Sequence, residues 1–112
     1  MLNSNSGITP LDALRLELRR GCLVLAVLAA LQSEQYGYAL RQTLANGGMK
    51  IDQGTLYPLL RRLEAQGLLT SEWREQDRRL KRFYRLSDAG LDVMTRLLAE
   101  WQSINSSLLE LL

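Results

Sequence analysis

Histidine is absent from all 112 residues. With it goes the commonest general base near neutral pH. Cysteine occurs once, as Cys22, so an intrachain disulfide is excluded and there is no Cys/His cluster to bind a metal. Its neighbours Leu23, Val24 and Leu25 are apolar, which suits an inert buried thiol in a reducing compartment and not a low-pKa nucleophile. A cytoplasmic location is therefore expected. Acidic residues such as Asp52 and Glu64 are accounted for by helix capping and surface charge. No catalytic residue, metal site or cofactor is expected. The glycine pair in Asn46-Gly47-Gly48 has no Lys-Ser/Thr pair after it, so it is not a phosphate loop. Long apolar runs are missing too. Cys22–Leu31 is wholly apolar but far short of the roughly 20 residues a membrane span needs. As a signal peptide it starts late, and Asp12 and Glu17 interrupt the basic lead. It reads as a buried helix, with no membrane partner.

What remains is a chain with enough apolar residues for one modest core, 46% of the total, and a net charge of +2. The charge is unevenly placed. Residues 61–85 hold eight basic and four acidic side chains, whereas residues 86–112 hold one basic and four acidic. A cationic cluster of this kind points to a polyanionic partner.

The cluster sits on a recognisable outline. Leu56, Leu59, Leu60 and Leu63 form one apolar stripe at helical period. The opposite side carries Gly54, Pro58, Arg61 and Ala65, flanked by Thr55, Tyr57 and Arg62. Gly67 ends this helix. Asp52 stands where a cap belongs. Pro58 would then fall in the second turn, so either the helix kinks or its regular part starts nearer Thr55. Strand-like runs follow at Leu68–Trp73 and Lys81–Leu86, with Leu69, Ser71 and Trp73 on one face and Arg82, Tyr84 and Leu86 on one face of the return strand. The tip, Arg74–Leu80, lacks glycine and proline and is expected to be a mobile loop. A helix leading into a basic-tipped hairpin is the outline of a winged helix-turn-helix.

Upstream, Thr9-Pro10 starts a helix that runs to about Gln32. It is amphipathic through Leu11, Leu14 and Leu18, then apolar all round from Cys22. Gly21 at the change suggests a close helix approach. A second helix opens at Tyr36-Gly37-Tyr38, with Leu40 and Leu44 inward and Arg41 and Gln42 outward, and stops at Asn46-Gly47-Gly48. Downstream, Ser87-Asp88 caps a last helix. Met94, Leu97, Trp101, Ile104, Leu108 and Leu111 alternate in steps of three and four, a heptad seam. Leu91 and Met94 are expected to pack on the chain's own core. The distal part, from Trp101 on, is expected to meet a second copy, with the Leu11/Leu14/Leu18 edge completing that interface.

Several blocks together resemble one family: Tyr36-Gly37-Tyr38-Ala39-Leu40, Gly54-Thr55-Leu56-Tyr57-Pro58-Leu59-Leu60, Gly67-Leu68-Leu69, and Arg82-Phe83-Tyr84-Arg85-Leu86-Ser87-Asp88-Ala89-Gly90. In these the chain is similar to PadR-family transcriptional regulators, over about residues 15 to 112. The resemblance implies a homodimer that binds a palindromic operator on double-stranded DNA and usually represses transcription. The single tail helix is similar to the family's smaller subgroup. In multidrug-binding relatives a tryptophan of the last helix stacks flat aromatic ligands. Trp101 stands at a similar place, where it would serve either a small planar aromatic effector or the packing of the dimer. The wing departs from the family pattern, since glycine and proline are missing before its basic residues.

The expected fold is mainly α with a small β-hairpin (α+β). Residues 1–8 read as a disordered tail, 9–86 as the winged helix-turn-helix domain and 87–112 as the dimerisation helix. On this reading the helix from Gln53 to Gln66 enters the major groove. Gln53, Thr55 and Tyr57 reach base edges or phosphates, and Arg61 and Arg62 meet phosphates. Arg78, Arg79, Lys81 and Arg82 supply wing contacts, with Tyr38 and Lys50 as further phosphate contacts. Two such helices would stand about one DNA turn apart, roughly 34 Å. The alternative is a winged-helix module that binds protein and not DNA.

Overall fold

The computed structural model describes residues 7–112, in the order α1 (Pro10–Ala30), β1 (Gln35–Tyr36), α2 (Gly37–Asn46), α3 (Gln53–Ala65), β2 (Leu69–Gln76), β3 (Arg79–Leu86) and α4 (Asp88–Leu111). Most of the expected N-terminal tail, residues 1–6, lies outside the described residues. Helices segregated to one side of a small antiparallel sheet make this an α+β fold.

Local chemistry sets most boundaries. Thr9 and Asp12 form a reciprocal capping box, with Pro10 at the first helical position of α1. α2 stops at Gly47, and Gly48 takes φ +89° just beyond it. Gly67, at φ +80°, ends α3 in the same way. Ser87 begins α4: its Oγ accepts from Gly90 N at 2.9 Å and donates to Gly67 O at 2.7 Å. One hydroxyl thus ties the end of one helix to the start of another. Gly90 is buried at this junction. A Cβ there would run into the Leu68 carbonyl oxygen and stand 2.7 Å from Leu86 Cδ1.

The core collects the stripes. Leu56, Leu59, Leu60 and Leu63 of α3 are all buried, together with Val27, Leu28 and Leu31 around the end of α1, Leu40 and Leu44 of α2, and Leu69 and Tyr84 of the sheet. Each such side chain contributes about 1.5–3 kcal/mol on burial. Met94 closes the core from α4 and Leu97 packs partly against it, whereas Leu91 is exposed. The expectation that Leu91 joins the core is corrected: it is three residues from Met94, but its side faces outward.

Several other expectations are corrected. Nothing lies within 4 Å of a Cβ built on Gly21, so within the chain there is no close helix approach at that point. Asp52 holds the cap position of α3 but makes no side-chain cap hydrogen bond. The helix begins at Gln53 and continues through Pro58. Starting nearer Thr55 is therefore the wrong alternative. Arg41 is half-buried, its Nε donating to Ile51 O at 3.3 Å. The strand β1 was not foreseen. It pairs Gln35 with Tyr84 and Tyr36 with Phe83, giving the sheet order β1-β3-β2. Two residues carry no periodicity to read, so only the tertiary pairing creates this strand.

The largest correction is the wing. β2 and β3 pair without a break from Leu69↔Leu86 to Gln76↔Arg79, leaving a two-residue turn. Its residues, Asp77 and Arg78, have φ +54° and +64°. Two successive left-handed residues match the right-handed twist of the strands. Asn-Gly or Asp-Gly usually signals this turn, and Asp-Arg hides it. The tip is an ordered hairpin, not a mobile loop.

Candidate nucleic-acid interface

α3 presents its polar side outward because its leucine stripe faces the core. Gln53, Thr55, Arg61 and Arg62 are all exposed. Tyr57 is only half-buried, and its ring lies against Gly37, where a Cβ would meet Tyr57 Cε1 at 2.6 Å and the hydroxyl oxygen at 2.9 Å. The glycine at the start of α2 therefore lets the tyrosine of α3 approach the backbone of α2 closely, next to Tyr38, which is 56% exposed.

Between α3, the start of α2 and the hairpin lies an open recess of about 430 Å3. Tyr38, Tyr57, Arg61, Arg79, Lys81 and Arg82 all line it, so three elements bring six of the anticipated site residues together. Trp73 and Leu80, which the sequence reading did not single out, line it as well and are largely exposed. Strand alternation could have found Trp73, which stands opposite Arg82 on the face turned to α3. Among the described residues no carboxylate lines the recess, although Glu64 lies just behind it, bonded to Arg82.

Lys50 and Thr55 are placed elsewhere. They line a second groove of about 340 Å3, with Arg19 and Arg20 of α1 and with Asp52. The sequence reading missed the two arginines, since nothing local links a residue of α1 to the start of α3. Gln53 is exposed at the first position of α3, and Arg78 occupies the tip of the hairpin.

The ion pairs sort the cations. Among the described residues no carboxylate pairs with Arg61, Arg62, Arg78 or Arg79. Lys81 leans over the Tyr36 ring at 4.2 Å and donates to Gln76 Oε1 at 3.2 Å. Arg74 is held by Glu34 and Glu72, with its guanidinium 4.1 Å above the Phe83 ring. Arg82 is tied to Glu64 at 2.7 Å and to Ser71 Oγ at 3.0 Å. Arg82 was expected to meet DNA, but its guanidinium is engaged within the chain. Beside it, burial pushes the Tyr84 hydroxyl above its ordinary pKa of 10.0, with Arg82 pulling the other way.

A free arginine ridge along an exposed helix, continued by a basic hairpin tip, is how a winged helix-turn-helix meets a duplex. Comparison with known proteins agrees. The profile of the transcriptional regulator PadR-like family matches residues 24–96. The chain belongs to the PadR-like family of transcriptional regulators. It is 44% identical over 80 residues to Transcriptional regulator Rv3488 of Mycobacterium tuberculosis, covering 70% of this chain and 75% of that one. A PadR family transcriptional regulator from Eggerthella lenta shares 44% identity and superposes with a TM-score of 0.85, over 90% of each chain. A Streptococcus transcriptional regulator superposes with a TM-score of 0.75 at 28% identity, over 85% of this chain and 96% of that one.

The family match spans α3 and both strands of the hairpin. Among the described residues, no helix is long and apolar enough to cross a membrane.

Proposed function

We propose that this PadR-like regulator is a homodimeric repressor that binds a palindromic operator and is released by a small planar aromatic effector. The observation that carries the DNA-reading part is the recess between α3 and the hairpin, lined by Arg61 and Arg79, neither of which is in an ion pair among the described residues. Gln53 and Thr55 then read base edges. Arg61, Arg62, Arg78 and Arg79 meet phosphates, and Lys50 with Arg19 and Arg20 extends the contact to the flanking backbone. Lys81 and Tyr38 border the same path.

Dimerisation rests on apolar surface that the chain leaves uncovered. Leu14 and Leu18 of α1 are 60% and 72% exposed, and Trp101, Ile104 and Leu108 of α4 are 46%, 57% and 54% exposed. Leu11 and Leu111 continue the two edges. A contiguous apolar surface of this kind marks an association site. Residues 9–86 serve as the reading head, with α1 also in the dimer, and residues 87–112 join the copies. The effector site is the cavity of about 490 Å3 between α1 and α4, where Trp101 faces Leu18, Cys22 and Leu25. A ligand there changes DNA affinity only by preferring one spacing of the two heads.

The test measures binding to the chain's own promoter duplex across a salt series. The double variant Arg61→Ala/Arg79→Ala is expected to weaken binding and flatten the salt slope. Each lost phosphate contact takes about 0.9 from the slope, so a dimer losing four loses about 3.6. An unchanged slope, or no binding by the native chain in dilute salt, would overturn the reading.

A further inference from the structure

Three side chains from three elements close a ring beside the recess. Ser71 Oγ on β2 donates to Glu64 Oε2 on α3 at 2.6 Å. Arg82 Nε on β3 donates to the same hydroxyl at 3.0 Å, and Arg82 Nη2 donates to Glu64 Oε1 at 2.7 Å. The arginine and glutamate side chains are only 33% and 27% exposed. The Arg82 guanidinium carbon lies over two rings, 5.6 Å from the Trp73 ring centre and 5.3 Å from that of Tyr84. The fork is thus fixed by hydrogen bonds to Glu64 and Ser71 and by cation–π contact with two aromatic rings.

Two features of this ring are odd for a surface built only to attract a polyanion. One arginine of the cationic face is neutralised from within, and a carboxylate has been placed close to where DNA would run. Repulsion from Glu64 weakens DNA binding unless its contact does something that outweighs the charge.

We propose that Arg82 is a positioning residue and not a phosphate contact: with Glu64 and Ser71 it brackets the hairpin to α3, so that the helix and the wing tip engage one duplex in fixed register. The bracket rests on the DNA-reading role proposed above. It works by preorganisation. Without the bracket, the part of the hairpin beyond the buried Leu69 and Tyr84 is free to move away from α3 and would have to be ordered on binding, which lowers affinity without changing the number of phosphates contacted.

Glu64→Ala separates the two roles by sign. If Arg82 were a phosphate contact restrained by Glu64, removing the carboxylate would free it, tighten binding and steepen the salt slope. As a bracket, its loss weakens binding about tenfold and leaves the slope unchanged. Arg82→Lys gives the complement. An ammonium keeps the charge but cannot hold Ser71 and Glu64 together in one fork. It is expected to weaken binding as much as Arg82→Ala does. Retained affinity in Arg82→Lys would overturn the proposal.

Amide hydrogen exchange of the free protein supplies a readout without DNA. Faster exchange across Leu69–Leu86 in Glu64→Ala and Ser71→Ala, with α1 and α2 protected as in the native chain, supports the bracket. Unchanged exchange in the hairpin overturns it. If the native chain bound no duplex at all, the DNA-reading role would fall, and the hairpin exchange would still judge the bracket.

Discussion

Replacing Arg78 by glycine should make the protein more stable and a poorer DNA binder at once. Arg78 sits at φ +64° in the hairpin turn, next to Asp77 at +54°. A left-handed conformation costs an L-residue roughly 1–2 kcal/mol, and glycine avoids that cost. Against this, glycine makes the unfolded chain more flexible, which offsets about 0.4–1 kcal/mol. The balance is a gain of about 0.5–1 kcal/mol. At roughly 2.1 cal/mol/K of unfolding entropy per residue, a chain of 112 residues gains about 2–4 °C in Tm. Binding moves the other way. If the chain binds as the proposed dimer, each dimer loses two phosphate contacts, so the salt slope falls by about 1.8, and the affinity lost between 50 and 200 mM salt shrinks by roughly tenfold. Calorimetry and a salt series of duplex binding measure the two effects separately. A lower Tm would show that the backbone at Arg78 is not strained as the geometry implies. An unaltered slope would show that the wing tip does not touch phosphate.

Other substitutions probe the remaining joints. Gly90→Ala should destabilise the protein by about 1–3 kcal/mol, because the new methyl group meets the Leu68 carbonyl, which already accepts from Ser87 N at 3.0 Å. A melting temperature within a degree of the native value would refute this. Tyr84 is neutral when folded and its pKa is raised by burial. Its contribution to stability is full below the ordinary tyrosine pKa and is lost as pH rises through the folded value. Tyr84→Phe should therefore flatten the alkaline end of the stability profile, as denaturant titrations above pH 9 to 11 would register. On the proposed dimer, Ile104→Asp, on the exposed seam of α4, should leave each chain folded but shift sedimentation from dimer to monomer. A native-like sedimentation coefficient at micromolar concentration would place the interface elsewhere.

The local patterns carried far. The leucine stripe of α3, the cap residues Thr9, Ser87 and Pro10, and the stops at Gly48 and Gly67 could all be read along the chain, because each depends on neighbours within a turn or two. Strand alternation likewise grouped Leu69, Ser71 and Trp73 on one face of β2 and Arg82, Tyr84 and Leu86 on one face of β3, and the pairing register set the two groups side by side. Tertiary structure alone decided which of the eight basic residues in 61–85 are free. Among the described residues Arg61, Arg62, Arg78 and Arg79 are in no ion pair, whereas Arg74 and Arg82 are claimed by Glu34, Glu72 and Glu64. A cation's partners depend on how elements far apart in sequence are brought together, and no periodicity encodes that. The same holds for β1, which exists only through its pairing with β3, and for Gly90, whose missing side chain matters only because the Leu68 carbonyl arrives beside it. Short-range sterics and capping determine the elements. Packing determines which of their charges are left to meet a partner.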